Sequence, residues 1–274
     1  MAVRRSSAQE LFERKRQIMD LVATSGFAAT AELARRLDVS DETVRRDVRQ
    51  MLAEGLLKKV RGGVVVPDIM REAGFHHRLN ENAGVKEMLG RHGAGLIEPG
   101  LSMILTAGST ITYFAHALRG HRGLTIATTS VDVARILGPI PGNSVFVPGG
   151  QVRSSDGSIF GNGVERMLRE HRARLAVISI EAVTPAGLMS SDLFDADIVR
   201  AAADCAEEVM VIAEAAKFNR SASIRALDFD RIATIVSDTP PGPDIAASLN
   251  AAGTRLEIVQ PGPREASSAR AIAD

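Results

Sequence analysis

The chain has 274 residues, 45% of them hydrophobic and 24% charged, which is typical of globular proteins. Its single cysteine, Cys205, excludes a disulfide framework and a multi-cysteine metal site. No apolar run reaches the ~18 residues of a membrane span, and the basic start lacks the apolar segment of a secretory signal, so we expect a cytoplasmic protein with no membrane partner.

The charges are unevenly distributed along the chain. Residues 1–66 contain 13 basic and 9 acidic side chains, a net charge of +4 that the remainder balances to zero. A basic N-terminal piece joined to a mildly acidic larger piece favours an anionic partner for the former.

Residues 1–66 are predicted to form three helices and a hairpin. Helical periodicity extends from Leu11 to about Ser25. Thr30 is placed to cap a second short helix, and Ser40 to cap a third. The run LLKKVRGGVVVP then contains two β-prone segments around a Gly-Gly pair and ends at Pro67. This order of elements is typical of a winged helix-turn-helix domain.

The third predicted helix has an apolar face made of Val44, Val48, Met51 and Leu52. In winged helix-turn-helix domains the opposite face of this helix contacts DNA, and Arg and Thr bond to bases and phosphates. The predicted DNA-binding residues are Thr30, Ser40, Glu42, Thr43, Arg45, Arg46, Arg49, Lys58, Lys59 and Arg61. The alternative is an ordinary solvated face, with the arginines paired to Asp47 or Glu42.

The larger part of the chain is predicted to be an α/β domain. Residues 67–84 lack a period and are assigned as a linker, and residues 261–274, rich in Pro, Gly, Ala and Ser, as a disordered tail. Between them, in 85–260, strand-length apolar runs alternate with helical segments, which indicates βαβ units and a mainly parallel sheet. The runs are 102–106, 124–128, 144–147, 175–180, 209–213, 232–236 and 256–259.

Small polar loops follow three of these runs. They are 106–110 (TAGST), 128–130 (TTS) and 149–150 (GG). Backbone amides at a helix start, together with hydroxyls, suit a phosphate, and loops at the carboxyl ends of parallel strands converge. Together they predict a phosphate-bearing ligand, although each loop alone is also ordinary turn and capping chemistry.

The run AELARRLDVSDETVRRDVRQMLAEGLLKKVRGGVV resembles the DNA-binding domain of the DeoR/GlpR family of bacterial transcriptional regulators. The signature S-x-x-T-[VI]-R-R-D of that family is matched by Ser40, Thr43, Val44, Arg45, Arg46 and Asp47. The resemblance implies an effector domain similar in fold to the ribose-5-phosphate isomerase type, which senses phosphorylated sugars. It also matches Phe75, Arg78 and Lys86 to a linker pattern.

The resemblance also indicates where the effector binds. The family loops D-x-G-T-T and T-N-S align with 106–110 and 128–130, and D-x-S-K-F aligns with 214–218. The predicted effector-binding residues are Thr106, Gly108, Ser109, Thr110, Thr128, Thr129, Ser130, Gly149, Gly150, Glu181 and Lys217. Lys217 is interpreted either as a ligand partner or as a plain surface lysine.

Several departures from the family pattern predict a ligand different from the usual one. Thr106 stands where Asp is usual, Thr129 where Asn is usual, and Glu214 replaces Asp. The residues 179–182 (SIEA) replace Gly-Ala-x-Gly.

No catalytic residues, metal or cofactor are expected. The six histidines are scattered over linker and helix-surface positions and are interpreted as solvated, without metal-ligand spacing or a catalytic acid–base pair. We expect a repressor of a sugar-metabolism operon that binds double-stranded operator DNA as a homodimer or tetramer. The alternatives are an isomerase-type sugar-phosphate enzyme with an appended DNA-binding domain, and a non-specific nucleic-acid binder.

Overall fold

A computed structural model describes residues 11, 14–15, 17–19, 21–22, 27–60, 62–65, 75, 77–153, 155–218 and 220–260. The chain forms two compact units, Met1–Ala73 and Gly74–Asp274. The predicted tail 261–274, the wing residue Arg61 and residues 67–74 and 76 of the predicted linker lie outside the described residues.

The N-terminal unit contains the predicted helices and hairpin. Residues between Leu11 and Val22 are helical where they are described. The elements that follow are helix α1 (Thr30–Leu37), helix α2 (Asp41–Ala53), strand β1 (Lys58–Val60) and strand β2 (Gly63–Val65), with β1 and β2 antiparallel.

The two helix caps differ from each other. Ser40 accepts a hydrogen bond from Thr43 N at 3.2 Å and caps α2 as predicted. The prediction that Thr30 caps α1 is wrong, because Thr30 is the first helical residue and Ala29 occupies the cap position without a side-chain bond. Asp38, with φ 53°, makes the tight turn between the helices.

The hairpin packs against the segment before α1. Val64 and Ala28 exchange backbone hydrogen bonds, and a Cβ at Gly63 would lie 2.3 Å from Ala28 O. Glycine is therefore needed at position 63 by close backbone approach. The buried apolar core of this unit consists of Ile18, Val22, Ala28, Leu33, Ala34, Val44, Val48, Met51, Leu57 and Val64.

The larger unit alternates helices with strands. Its helices are α3 (Ala83–Gly95), α4 (Ser109–Ala117), α5 (Val131–Leu137), α6 (Asn162–Glu170), α7 (Leu193–Asp204) and α8 (Pro243–Ala252). Its strands are β3 (Ser102–Leu105), β4 (Thr125–Thr128), β5 (Ser144–Phe146), β6 (Gln151–Val152), β7 (Ile159–Phe160), β8 (Ala173–Ile178), β9 (Ala182–Thr184), β10 (Gly187–Ser190), β11 (Ala206–Ile212), β12 (Ile224–Leu227), β13 (Thr234–Ser237) and β14 (Arg255–Ile258).

Seven of these strands form one parallel sheet, in the order β14-β13-β11-β8-β3-β4-β5. They are the seven runs predicted from the sequence, so the mainly parallel α/β prediction is confirmed. From β3 the chain proceeds outward through β4 and β5, and it then returns to β8 on the other side of β3. Ligands bind open α/β sheets at such a switch point, outside the carboxyl ends of the strands.

Both faces of the parallel sheet are covered by apolar side chains. Alternation along β3 puts Ile104 in one buried cluster and Leu105 in the other. Burying one such side chain contributes roughly 1.5–3 kcal/mol. Where the chain is described, no helix combines the length and apolarity that crossing a membrane requires.

Two small antiparallel sheets complete the unit. Strands β6 and β7 form a hairpin, and β9, β10 and β12 form a three-stranded sheet. These strands are not predicted from the sequence, because they lack the continuous apolar runs that mark the strands of the parallel sheet.

Candidate functional site

The outer face of α2 carries the predicted DNA-contacting side chains. Glu42, Arg45, Arg46 and Arg49 are exposed, Thr43 is half-buried, and Val44, Val48 and Met51 fill the core. Leu52, predicted to be inward, is only partly buried. The apolar stripe therefore points three arginines of the first three turns away from the core.

The burial of Asp47 distinguishes this face from an ordinary ion-paired surface. It is 1% exposed and accepts a hydrogen bond from Arg14 Nε at 2.5 Å, so it does not pair with the arginines of its own helix. Arg45 Nη2 lies 3.5 Å from Asp41 Oδ2 in an exposed pair, which contributes little stability. Within the described residues, Arg46 and Arg49 form no ion pair.

The remaining predicted contacts surround α2. Ser40 is exposed at its start, and Lys58 and Lys59 are exposed on β1. Thr30 is half-buried at the start of α1. The arrangement presents cations and hydroxyls on one side of the helix and on the hairpin, which suits a phosphate backbone.

In the larger unit, the loops that follow β3, β4, β8 and β11 form the edge loops. The first contains Gly108, which has a φ of 144° and occupies the N-cap position of α4. No side chain caps this helix start. Ser109 and Thr110 are the first two residues of α4. The buried hydroxyls of Thr106 and Thr110 have no hydrogen-bond partner in the described part of the chain.

The second edge loop contains Thr128, Thr129 and Ser130. Thr128 Oγ1 accepts a hydrogen bond from Ser130 N at 3.2 Å, and Ser130 Oγ accepts one from Val133 N at 3.3 Å. The hydroxyl of Thr128 therefore stabilises the turn, and that of Ser130 caps the start of α5. The fully buried hydroxyl of Thr129 has no partner among the described residues.

Close backbone packing explains the glycine at position 150, whereas a Cβ at Gly149 would meet nothing within 4 Å. A Cβ at Gly150 would lie 2.6 Å from Phe160 O, and one at Gly163 would lie 2.7 Å from Gly149 O. Strand β7, which carries Phe160, adjoins the second edge loop, because Ile159 N donates to Thr129 O at 2.7 Å. Gly150 therefore allows the close approach to β7 that places the β6–β7 hairpin beside that loop.

The edge loop after β8 adjoins the first edge loop across the switch point. A Cβ at Gly108 would lie 3.5 Å from the Cβ of Ser179. In the same loop, Glu181 accepts hydrogen bonds from Ser191 N at 2.9 Å and Ser191 Oγ at 2.5 Å. Glu181 is thus held by Ser191, at the sequence position where the resemblance indicates a ligand contact.

The edge loop after β11 contains two buried charged side chains. Glu214 is 2% exposed and Lys217 is 7% exposed, so the interpretation of Lys217 as a plain surface lysine is wrong. Burial and, after it, the nearby Arg220 lower the pKa of Lys217 to about 8, while Glu214 opposes the shift. Oε2 of Glu214 is buried and unpartnered within the described residues.

Lys86 and Arg78 lie near Glu214 and Lys217, at the same edge of the parallel sheet. Neither was predicted from the sequence as a site residue. Lys86 Nζ is buried, lies 4.0 Å from Glu214 Oε1, and donates to the carbonyls of Arg78 and Glu81. The Arg78 guanidinium lies 5.7 Å from the Phe75 ring centroid. The signal that could have found both residues was their match to the linker pattern of the family.

Arg153 forms a separate ion-pair cluster that was also missed. Its guanidinium contacts Asp156 at 3.0 Å, Asp192 at 3.1 Å and Asp195 at 2.7 Å. Asp192 caps α7, so the cluster ties the end of β6 to that helix. Three carboxylates neutralise Arg153, and it is therefore a structural cation.

The described histidines do not form a metal site. Over the residues that the structure describes, no group of three or more His, Cys, Asp or Glu side chains could hold a metal ion. His92 Nε2 lies 2.8 Å from Glu257 Oε2, so this histidine is paired rather than simply solvated as predicted.

Family comparisons agree with this division of the chain. The family model described as DeoR-like helix-turn-helix domain matches residues 14–70, and the one described as DeoR C terminal sensor domain matches residues 81–239.

Curated relatives match over nearly the whole chain. The HTH-type transcriptional repressor CsqR of Escherichia coli (strain K12) is 30% identical over 249 residues, covering 90% of this chain and 95% of the relative. The glycerol-3-phosphate regulon repressor of the same organism is 27% identical over 247 residues, covering 90% and 98%. Among solved structures, ribose 5-phosphate isomerase from Methanocaldococcus jannaschii has a TM-score of 0.37 at 14% identity, covering 50% of this chain and 54% of that chain.

Proposed function

The chain belongs to the DeoR family of transcriptional regulators, and we propose that it represses a carbohydrate-metabolism operon under the control of a phosphorylated sugar-type effector. The DNA-binding unit recognises the operator, and the sensor unit binds the effector. The two binding events are coupled thermodynamically, so each changes the affinity for the other by the same factor.

The observation that carries the DNA-binding part is the orientation of α2. Its outer face presents Arg45, Arg46 and Arg49, while the acid between them in sequence, Asp47, is buried against Arg14. A face with cations and a buried acid suits base edges and phosphates in the major groove. Because one such helix reads few base pairs, we propose a homodimer or tetramer that binds paired half-sites about 34 Å apart or multiples of that.

The effector part of the proposal is supported by the first edge loop. The uncapped start of α4 offers backbone amides to an anion, and the buried hydroxyls of Thr106 and Thr110 lack partners within the described chain. A phosphate satisfies both kinds of donor. Names of relatives point the same way, since one is a glycerol-3-phosphate regulon repressor and another a putative aga operon transcriptional repressor.

We propose a regulator without enzymatic activity that acts in the cytoplasm on its operator. Thr106 replaces the carboxylate that an isomerase-type mechanism would need at the first edge loop. Turnover of pentose or hexose phosphates by the purified protein would support the enzyme alternative instead.

The test is binding of the full chain to DNA from its own promoter and neighbouring genes at fixed physiological salt. A panel of sugar phosphates and their unphosphorylated sugars is added to the complex. We expect a preference over random DNA, and a change in affinity with phosphorylated compounds only. Equal binding to random DNA, with the same salt dependence, would identify a non-specific nucleic-acid binder.

A further inference from the structure

The side chain of Lys217 is largely buried, and it has no counter-ion among the described residues. Lys217 lies in the short 3-10 helix Ala215–Lys217 that follows β11 and is 7% exposed. Throughout the described residues, no oxygen hydrogen-bonds to its Nζ and no carboxylate pairs with it. An unpaired buried charge is costly, so a structure that retains one favours an anion that is supplied from outside.

Neighbouring charges do not provide that anion. The charged groups that act on Lys217 are Arg220, Lys86, Arg78 and one carboxylate, Glu214. Glu214 faces Lys86 at 4.0 Å, and Arg220 faces Glu81 at 3.7 Å. The carboxylates of Glu214 and Glu81 are therefore directed to Lys86 and Arg220, and neither pairs with Lys217.

The edge loop that contains Lys217 lies at a defined distance from the first edge loop. In the parallel sheet, β8 separates β11 from β3, and adjacent strands are about 4.8 Å apart. The carboxyl ends of β3 and β11 are therefore about 10 Å apart at the same edge. That spacing fits two anionic groups carried at the ends of a chain of five or six carbons.

We propose that the effector carries two anionic groups, a phosphate held at the first edge loop and a second anion, carboxylate or phosphate, that pairs with Lys217. This inference rests on the proposed function and narrows its ligand to phosphorylated sugar acids and sugar bisphosphates.

The test is calorimetric titration of the full-length protein with two matched pairs of probes. One pair is glucose 6-phosphate and 6-phosphogluconate, which differ by a terminal carboxylate. The other is fructose 6-phosphate and fructose 1,6-bisphosphate, which differ by a second phosphate. We expect the doubly anionic member of at least one pair to bind about tenfold or more tightly than its partner, and the pair that responds distinguishes carboxylate from phosphate.

Two variants assign the preference to Lys217. Lys217→Met is expected to abolish the difference within the pair, and Lys217→Arg to retain it. Lys217→Met is also expected to raise the melting temperature of the free protein at neutral pH, because it removes an unpaired buried charge. A variant that lost binding through misfolding would melt lower instead.

Three outcomes overturn the inference. If the monophosphates bind as tightly as the doubly anionic probes, or if Lys217→Met weakens both members of a pair equally, the second-anion subsite is wrong while the proposed function stands. If no probe of either pair binds at millimolar concentration, the phosphorylated-effector proposal fails as well.

Discussion

Asp47 Oδ2 lies 2.5 Å from Arg14 Nε, which joins the recognition helix α2 to the helical segment at the start of the chain. We expect Asp47→Ala to destabilise the N-terminal unit by about 2–4 kcal/mol, because it leaves a partly buried guanidinium unpaired. Urea unfolding followed by circular dichroism measures the effect. The matched control is Asp41→Ala, which loses only an exposed pair and a helix-dipole contact, about 0.5–1 kcal/mol. Equal losses would contradict a structural role for Asp47.

The exposed arginines of α2 are predicted to bind DNA. We expect Arg45→Ala/Arg46→Ala to weaken operator binding by more than tenfold and to reduce the salt slope by about 1–2, because phosphate or base contacts are lost. Fluorescence anisotropy at several salt concentrations measures both quantities. The control Arg174→Ala/Arg255→Ala removes the same charge from exposed positions of the sensor unit. If the two double variants bind alike, the effect is net charge rather than contact.

The first edge loop depends on the backbone of Gly108. With φ 144°, an alanine there is strained by roughly 1–3 kcal/mol, and its Cβ would lie 3.5 Å from Ser179 Cβ. We expect Gly108→Ala to lower the affinity for a sugar phosphate at least tenfold in calorimetry. Gly120→Ala is the control, since a Cβ there meets nothing within 4 Å. Unchanged affinity in Gly108→Ala would show that the phosphate does not bind at this loop.

Lys86 is predicted to stabilise the sensor unit through its buried contacts. We expect Lys86→Met to cost about 3–5 kcal/mol, because two carbonyls lose a donor and Glu214 is left as an unpaired buried carboxylate. Adding Glu214→Gln removes that charge and should restore part of the loss. A double-mutant cycle from denaturant unfolding measures the coupling. Strictly additive effects would show that the two side chains do not interact.

Stability should rise with pH through the titration of Lys217. Its folded pKa of about 8 is below the ordinary value of 10.5, so both states bind the proton below pH 8 and the folded state bears the full cost of burial. Above pH 8 the folded state loses the proton first, the unfolded state binds more protons, and stability increases until about pH 10.

Comparing the pH dependence of stability in the wild type and in Lys217→Met separates the contribution of Lys217 from that of the other lysines. The charged groups facing Lys217, namely Arg220, Lys86, Arg78 and Glu214, remain in both proteins. We expect the variant to melt higher at pH 7 and its advantage to shrink between pH 8 and pH 10. An advantage that is constant with pH would mean that Lys217 has an ordinary pKa.

The parallel sheet and helix α2 could be predicted because the spacing of apolar residues along the chain determines both. Apolar runs such as 102–106 have to be buried on both faces, which leaves a parallel strand as the natural solution. In α2, Val44 and Val48 define an inward stripe, and the arginines must then point outward.

The ionic contacts were not predictable, because they depend on distant partners. Asp47 is three residues from Val44 and so shares the inward face, but only its pairing with Arg14 makes burial of a carboxylate tolerable. Lys217 follows a strand, as a surface lysine often does, and nothing local reveals that it is buried. The same holds for Arg153, whose carboxylates come from two segments.

The anchoring of residues 78–81 has a consequence for building hybrid regulators. The carbonyls of Arg78 and Glu81 bond to Lys86, that of Leu79 accepts from Tyr113 OH at 3.0 Å, and Phe75 is buried. A chimera that borrows the operator specificity of another relative should therefore be spliced before Phe75. A junction at residue 84 would replace backbone that the sensor's own lysine and tyrosine hold.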